Sequence, residues 1–331
     1  MIRFYNIEKE EKKNIYKEVS NRTNMPDYNV EKDWWVAQTL SLVFEMAIGP
    51  HLVFKGGTSL SKSWGIISRF SEDVDLAVNR KFLGFEGDLG KNQRTKLRKS
   101  SSKYITEEFA PALQKAFQEK GMSDVQINVI ATTESDQDPK LVEVYYPHVL
   151  AYPDYIKPRI LLEIGCRSLI EPYTKREVVS VLDLTFPGSE FVQNPILIPS
   201  VNPERTFLEK IFLLHEEFQK EEPRSERMSR HLYDLYKLLQ VPQCKIGLQN
   251  ESLYRTIVAH RKQFTKLKDV DYDRHSPEFI NFIPAHDILA SYKNDYKVMQ
   301  ESMINEDSPE FEKLIEELES LKQEINQIKF E

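Results

Sequence analysis

The sequence predicts an α/β (α+β) protein: a mixed, twisted sheet with flanking helices over about residues 25–200, followed by a C-terminal helical bundle. Three observations carry this. Residues 53–78, VFKGGTSLSKSWGIISRFSEDVDLAV, read as strand, glycine turn, short helix and second strand. Residues 124–200 hold short β-branched or alternating runs, VQINVIATT, LVEVYYPHV, PRILLEIGC and VVSVLDLTF, punctuated by prolines. Beyond residue 200 the apolar spacing becomes helical, with Phe207, Ile211, Leu214 and Phe218 on one side of a helix that Pro203 can open. That switch sets the predicted boundary between a sheet domain, residues 1–200 with its N-terminal helices, and a helical domain, residues 201–331.

Taken in order, residues 1–50 read as helical. Val30 to Ala47 places Trp34, Val36, Leu40, Val43 and Met46 at helical spacing, with Glu31, Lys32 and Asp33 expected in the first turn, where acids suit the helix dipole. Val53 and Phe54 then enter the strand–turn–helix–strand unit. Gly56 and Gly57 leave backbone N–H groups free of Cβ atoms, so a ligand can approach closely. Thr58 is expected to cap the following helix, whose N-terminus attracts phosphate. Asp73 and Asp75 are two residues apart on a strand and therefore share a face. Like charges that close are unfavourable without a cation between them. Hard oxygen ligands suit Mg²⁺ (or Mn²⁺), which also takes substrate phosphates as ligands. A phosphate cradle followed by a metal-binding Asp pair is the apparatus of metal-assisted phosphoryl or nucleotidyl transfer.

Residues 91–103, KNQRTKLRKSSSK, carry six basic residues and no acid. On a chain of formal charge −7 this is a local asymmetry. It reads either as a solvated helix face or as a contact for a nucleic-acid backbone through Arg94, Lys96, Arg98 and Lys99. Glu163 is a carboxylate inside an apolar strand, costly there without a cation or partners; the alternative is an edge-strand Glu facing solvent. Lys210 lies beside the apolar stripe of its helix. Ser225 to Leu239 reads as the next helix, with His231 and Asp234 among its apolar residues. Residues 250–331 read as helical, ending in an acid-rich helix.

Composition narrows the class. The chain has 331 residues, 40% hydrophobic and 29% charged, as in a globular protein. The net charge excludes a chain basic all over but not a local nucleic-acid patch. Two cysteines, Cys166 and Cys244, give neither a disulfide framework nor a metal-ligand spacing, so a reducing cytoplasm is expected. MIRFYNIEKEEKK lacks an apolar signal core, and no apolar run reaches membrane-span length, so no membrane partner is expected.

GGTSLSK followed by RFSEDVDL resembles the first motif of the nucleotidyltransferase-fold AbiEii/AbiGii toxin family, within the polymerase-β-like nucleotidyltransferase superfamily. VEKDWWV, NPERTFLEKIFLLHEE and SRHLYDLYKL extend the resemblance over most of the chain. The superfamily signature has Gly-Ser where this chain has Gly57-Thr58; the hydroxyl is kept. The resemblance implies a polymerase-β-like mixed sheet and an NTP substrate. It puts Gly56, Gly57, Thr58, Ser59, Arg69, Ser71 and Lys210 at the nucleotide, and Asp73, Asp75 and Glu163 at the metal. It also implies that the helical domain contributes Lys210 and Asp234 to the site, with Glu163 or Asp234 as base. The expected role is the toxin of a bacterial toxin–antitoxin or phage-defence pair that adds NMP to a nucleic acid, with the tRNA 3′ end or another RNA as acceptor. The cognate antitoxin would be encoded by a neighbouring gene. Nucleotidylation of a protein side chain and non-catalytic nucleotide binding are the alternatives.

Overall fold

The computed structural model describes residues 3–71, 73–153, 156–304 and 306–330; Glu72, within the motif RFSEDVDL, lies outside them. The strands are β1 (Leu52–Lys55), β2 (Asp73–Val78), β3 (Gln126–Val129), β4 (Lys140–Tyr145), β5 (Arg159–Gly165), β6 (Tyr173–Val178) and β7 (Ile196–Val201). The first helices are α1 (Lys9–Thr23), α2 (Asp27–Glu45), α3 (Gly56–Lys62), α4 (Lys91–Tyr104), α5 (Ala110–Glu119) and α6 (Val181–Thr185). They are followed by α7 (Pro203–Glu217), α8 (Ser229–Leu239), α9 (Pro242–Leu248), α10 (Glu251–His260), α11 (Leu289–Ser302) and α12 (Phe311–Asn326). The chain divides into two compact units, Met1–Ser63 with Phe70–Ser200, and Trp64–Arg69 with Val201–Glu331.

The first unit is built on a seven-stranded sheet in the order β3-β4-β5-β2-β1-β7-β6. It is mixed: β2 runs antiparallel to β1 but parallel to β5, and β1 runs parallel to β7. Alternation explains β2, where Val74 and Leu76 are buried while Asp73 and Asp75 are half-exposed. One core joins Phe54, Val74, Leu76 and Leu162 of the sheet to Trp34, Leu40 and Val43 of α2 and to Phe109, Leu113 and Phe117. No described helix is long and apolar enough to cross a membrane.

Two local expectations are corrected. Helix α2 starts at Asp27, so Glu31, Lys32 and Asp33 lie inside it and are buried rather than placed at its N-terminus. Their partners are tertiary. Glu31 accepts from the backbone N–H groups of Val149 and Leu150, Lys32 donates to the carbonyl of Lys157, and Asp33 pairs with Lys62 and accepts from Val181 N–H. VVSVLDLTF is not a strand: it contains α6, whose Ser180 hydroxyl accepts from Asp183 N–H as an N-cap while donating to the Asp183 carboxylate. Its β-branched residues suggest a strand, but the Ser-x-x-Asp cap decides the local structure.

The second unit is helical. Phe207, Ile211 and Leu214 of α7 and Leu232, Leu235 and Leu238 of α8 are fully buried, and α8 packs against α7, α11 and α12. Helix α8 begins at Ser229 rather than Ser225. Asp295 of α11 sets that start, since its carboxylate accepts from the N–H groups of Arg227 (2.6 Å) and Ser229 (2.9 Å). A cap supplied from a distant helix leaves no local sequence signal.

Candidate active site

In the first unit, β1 runs directly into α3 through Lys55, which is extended, and Gly56, which has φ +75°. A Cβ on Gly56 would stand 2.1 Å from Oδ2 of Asp75. Backbone and space therefore both demand glycine, and the Asp75 carboxylate lies against the bare Cα. No side chain caps α3, so the N–H groups of its first turn are left to other partners. Gly56→Ala should abolish transfer, because the new methyl displaces Asp75. It should also cost roughly 1–3 kcal/mol from left-handed strain. Parallel activity and urea-unfolding measurements check both.

Thr58 does not cap α3. Its buried hydroxyl donates to the backbone carbonyl of Asp73 and lies 3.5 Å from that of Ser71. It thereby ties the glycine turn to the start of β2. Ser59 is buried, and its hydroxyl has no hydrogen-bond partner among the described residues. Lys62, in the last turn of α3, is committed to the buried Asp33 and to the carbonyl of Val179 (3.1 Å). Lys55 behaves differently: its ammonium is 3.7 Å from Oδ1 of Asp75, and both side chains are about a quarter exposed.

Asp73 and Asp75 occupy the same face of β2, and in the parallel ladder Asp75 stands opposite Glu163 of β5. Paired residues of adjacent strands point the same way, so three carboxylates share one half-exposed face. Strand β5 lies between β4 and β2, which places Glu163 on an interior strand rather than an edge. Among the described residues no group of three or more His, Cys, Asp or Glu side chains is already gathered so as to hold a metal ion. The donor chemistry nonetheless fits a hard divalent cation. All three groups are carboxylates, and the Lys55 ammonium already supplies positive charge at Asp75. Asp73 and Asp75 would be its protein ligands, with substrate phosphates completing the set.

The second unit holds a separate buried charge cluster. Arg69 donates from Nε and Nη2 to the two oxygens of Asp234, each at 2.7 Å, with the side chains 3% and 0% exposed. Lys210 reaches Oδ2 of the same carboxylate at 2.8 Å and lies 3.4 Å from Nδ1 of His231. Burial alone would raise the Asp234 carboxyl, but Arg69 and Lys210 hold it well below the usual carboxylate range. Burial lowers Lys210 more than Asp234 restores it. Burial and the neighbouring Lys210 push His231 far down, so it is neutral near pH 7. Glu209 is engaged by Arg205 at 3.0 Å, an ordinary helix pair.

In the basic run, Arg98 is bound to the Asp136 carboxylate and Arg94 donates to the carbonyl of Leu89 at 2.7 Å. Lys96, Lys99 and Lys103 are exposed on α4 at spacings of three and four, so they form one stripe. Lys103 belongs to the same basic run, and the helical period aligns it with Lys96 and Lys99.

The nucleotidyl transferase AbiEii toxin family, described as a type IV toxin–antitoxin system, matches residues 43–317. No curated protein matches the chain. Among solved structures, MenT4, a nucleotidyltransferase toxin from Mycobacterium tuberculosis H37Rv, is similar at 14% identity, with 94% of this chain and 97% of that chain covered and a TM-score of 0.44.

Proposed function

Because the chain belongs to the AbiEii nucleotidyl transferase toxin family of type IV toxin–antitoxin systems, we propose that it moves a nucleoside monophosphate from an NTP to the 3′ end of tRNA in the cytoplasm, and so stops translation. The observation that carries the site assignment is the Gly56 Cα lying against Asp75, with Asp73 on the same face and Glu163 in register. The uncapped first turn of α3 offers backbone N–H donors to the β- and γ-phosphates. A divalent ion, Mg²⁺ or Mn²⁺, held by Asp73 and Asp75 would supply the Lewis-acid neutralisation of phosphate charge. Glu163 takes the proton of the acceptor hydroxyl as that oxygen attacks the α-phosphorus and pyrophosphate leaves. Lys210 supplies positive charge to the triphosphate. Asp234, held ionised by two cations, is a weak base and serves to fix Lys210. The antitoxin that the family implies is read as the product of a neighbouring gene.

The exposed stripe Lys96, Lys99 and Lys103 is read as a contact for the RNA backbone. Replacing all three by Ala should weaken tRNA binding and lower the slope of log affinity against log salt by about 2–3, while NTP binding stays unchanged. Filter binding across a salt series checks this, and an unchanged slope makes the stripe a solvated face. The acceptor is tested by supplying each NTP labelled at the α-phosphorus to the purified chain with either tRNA or a protein fraction. Label at the tRNA 3′ end supports the reading. Label confined to protein replaces it with side-chain nucleotidylation.

A further inference from the structure

We propose that the second unit contains a nucleotide-binding pocket between α10, the residues around Tyr272 to His275, and the terminal segment at residues 328–330, which stacks a nucleobase and holds its adjoining phosphate. The cavity measures about 680 Å³, within the range of small-molecule sites. It goes beyond the reading above, since none of its residues takes part in the transfer site.

The lining has the chemistry of a base-stacking site. Tyr254, Tyr272, His275 and Phe330 all face the cavity. Tyr272 and His275 are already stacked, with ring centroids 4.8 Å apart and planes 13° apart. Tyr254 meets Phe330 edge-on at 4.9 Å. Tyr254, Tyr272 and His275 are buried and make the wall rigid, while the half-buried Phe330 offers a base its π-face.

A polar element is also left incomplete. His275 is 1% exposed. Its Nε2 lies 3.2 Å from the carboxylate of Glu216, but its Nδ1 has no hydrogen-bond partner among the described residues. A buried polar atom without a partner is destabilising until something completes it, and the donors and acceptors on a base edge are suitable groups.

The rim supplies charge for a phosphate. Arg255, Lys262 and Lys329 line the opening with Asp273 and Glu278, and Arg255 is paired with Glu251 at 2.5 Å. Lys262 spends its charge on Asp273 at 2.8 Å, but both are well exposed. Such a pair is weak and exchanges readily for a phosphate oxygen. The same base-plus-phosphate chemistry is offered by a free nucleotide and by one nucleotide of an RNA strand.

The test uses the full chain in EDTA, where the carboxylates of β2 recruit no metal–NTP complex. AMP, GMP, CMP and UMP are titrated calorimetrically, with a single-stranded hexaribonucleotide as a second arm. Bound nucleotide is then mapped by photocrosslinking 8-azido-AMP and by crosslinking a 4-thiouridine hexamer. Ala259 is an exposed residue on the cavity wall, so Ala259→Trp fills the space without touching the core. The double variant Lys262→Glu/Lys329→Glu reverses the rim charge. The expected result is one equivalent bound, affinity lowered at least tenfold in Ala259→Trp and several-fold in the double variant, with crosslinks within residues 254–278 or 328–330. Binding of mononucleotides identifies a free-nucleotide site, and binding of the hexamer alone identifies an RNA site. Absence of saturable binding in both arms, equal affinity in Ala259→Trp, or crosslinks within residues 53–78 overturns the proposal. Asp75→Asn leaves this binding intact, so failure of the transfer reading does not mask it.

Discussion

Asp75→Asn removes nucleotidyl transfer, with a rate loss of roughly 10³-fold or more, while the folded state is retained. The substitution keeps the shape of the side chain and deletes its charge, so it removes one of the two ligands proposed for the divalent ion. Loss of several kcal/mol of charge stabilisation in the transition state corresponds to that factor. Stability changes little, because the Lys55 partner is 3.7 Å away and partly solvated, and such pairs are worth at most about 1 kcal/mol. Asp73→Asn behaves in the same way and also relieves repulsion between two carboxylates on one strand face. Initial rates and urea midpoints on the two variants decide it; a rate within tenfold of wild type removes the pair from the chemistry.

Asp234→Ala has the opposite profile: it strikes the fold first. Asp234 is fully buried and neutralises both Arg69 and Lys210. Its removal strands two buried cations, and breaking a buried pair costs about 3–5 kcal/mol. Arg69→Ala is expected to be milder, since Lys210 still accompanies Asp234. Lys210→Ala leaves the two-point Arg69–Asp234 pair whole, so it should weaken NTP binding with little loss of stability. The pH dependence follows from the depressed Asp234 carboxyl. Its contribution is present above the ordinary carboxylate pKa near 4 and is lost as pH falls through the lower folded-state value. Asp234→Asn should therefore differ most from wild type at neutral pH and approach it under acid. Urea unfolding of wild type and Asp234→Asn between pH 7 and pH 3 reads this; a constant difference would mean that folding does not lower the carboxyl's pKa.

Much of the architecture was legible because period-2 and period-3.6 patterns are local. Asp73 and Asp75 could be set on one face from spacing alone, and the structure adds Glu163 opposite Asp75 and glycine pressed against the carboxylate. The pairing of Lys210 with Asp234 came from resemblance, since no periodicity relates residues on two helices. What stayed hidden was tertiary. Arg69, adjacent in sequence to the Asp pair, belongs to the Asp234 cluster. Lys62, near the glycine turn, is consumed by Asp33. Thr58 fastens to β2 instead of capping α3. Arg98, read as a nucleic-acid contact, is bound to Asp136. In each case a long side chain or hydroxyl chose a partner from a distant segment, and composition does not encode that choice.

The measurement closest to the central claim follows the fate of the phosphorus atoms. Purified chain is given tRNA, Mg²⁺ and NTP labelled either at the α- or at the γ-phosphorus, with Asp75→Asn alongside. The account predicts that α-label enters the RNA, that γ-label leaves as pyrophosphate, and that the variant does neither. γ-Label retained on the RNA, or transfer undiminished in Asp75→Asn, would contradict it.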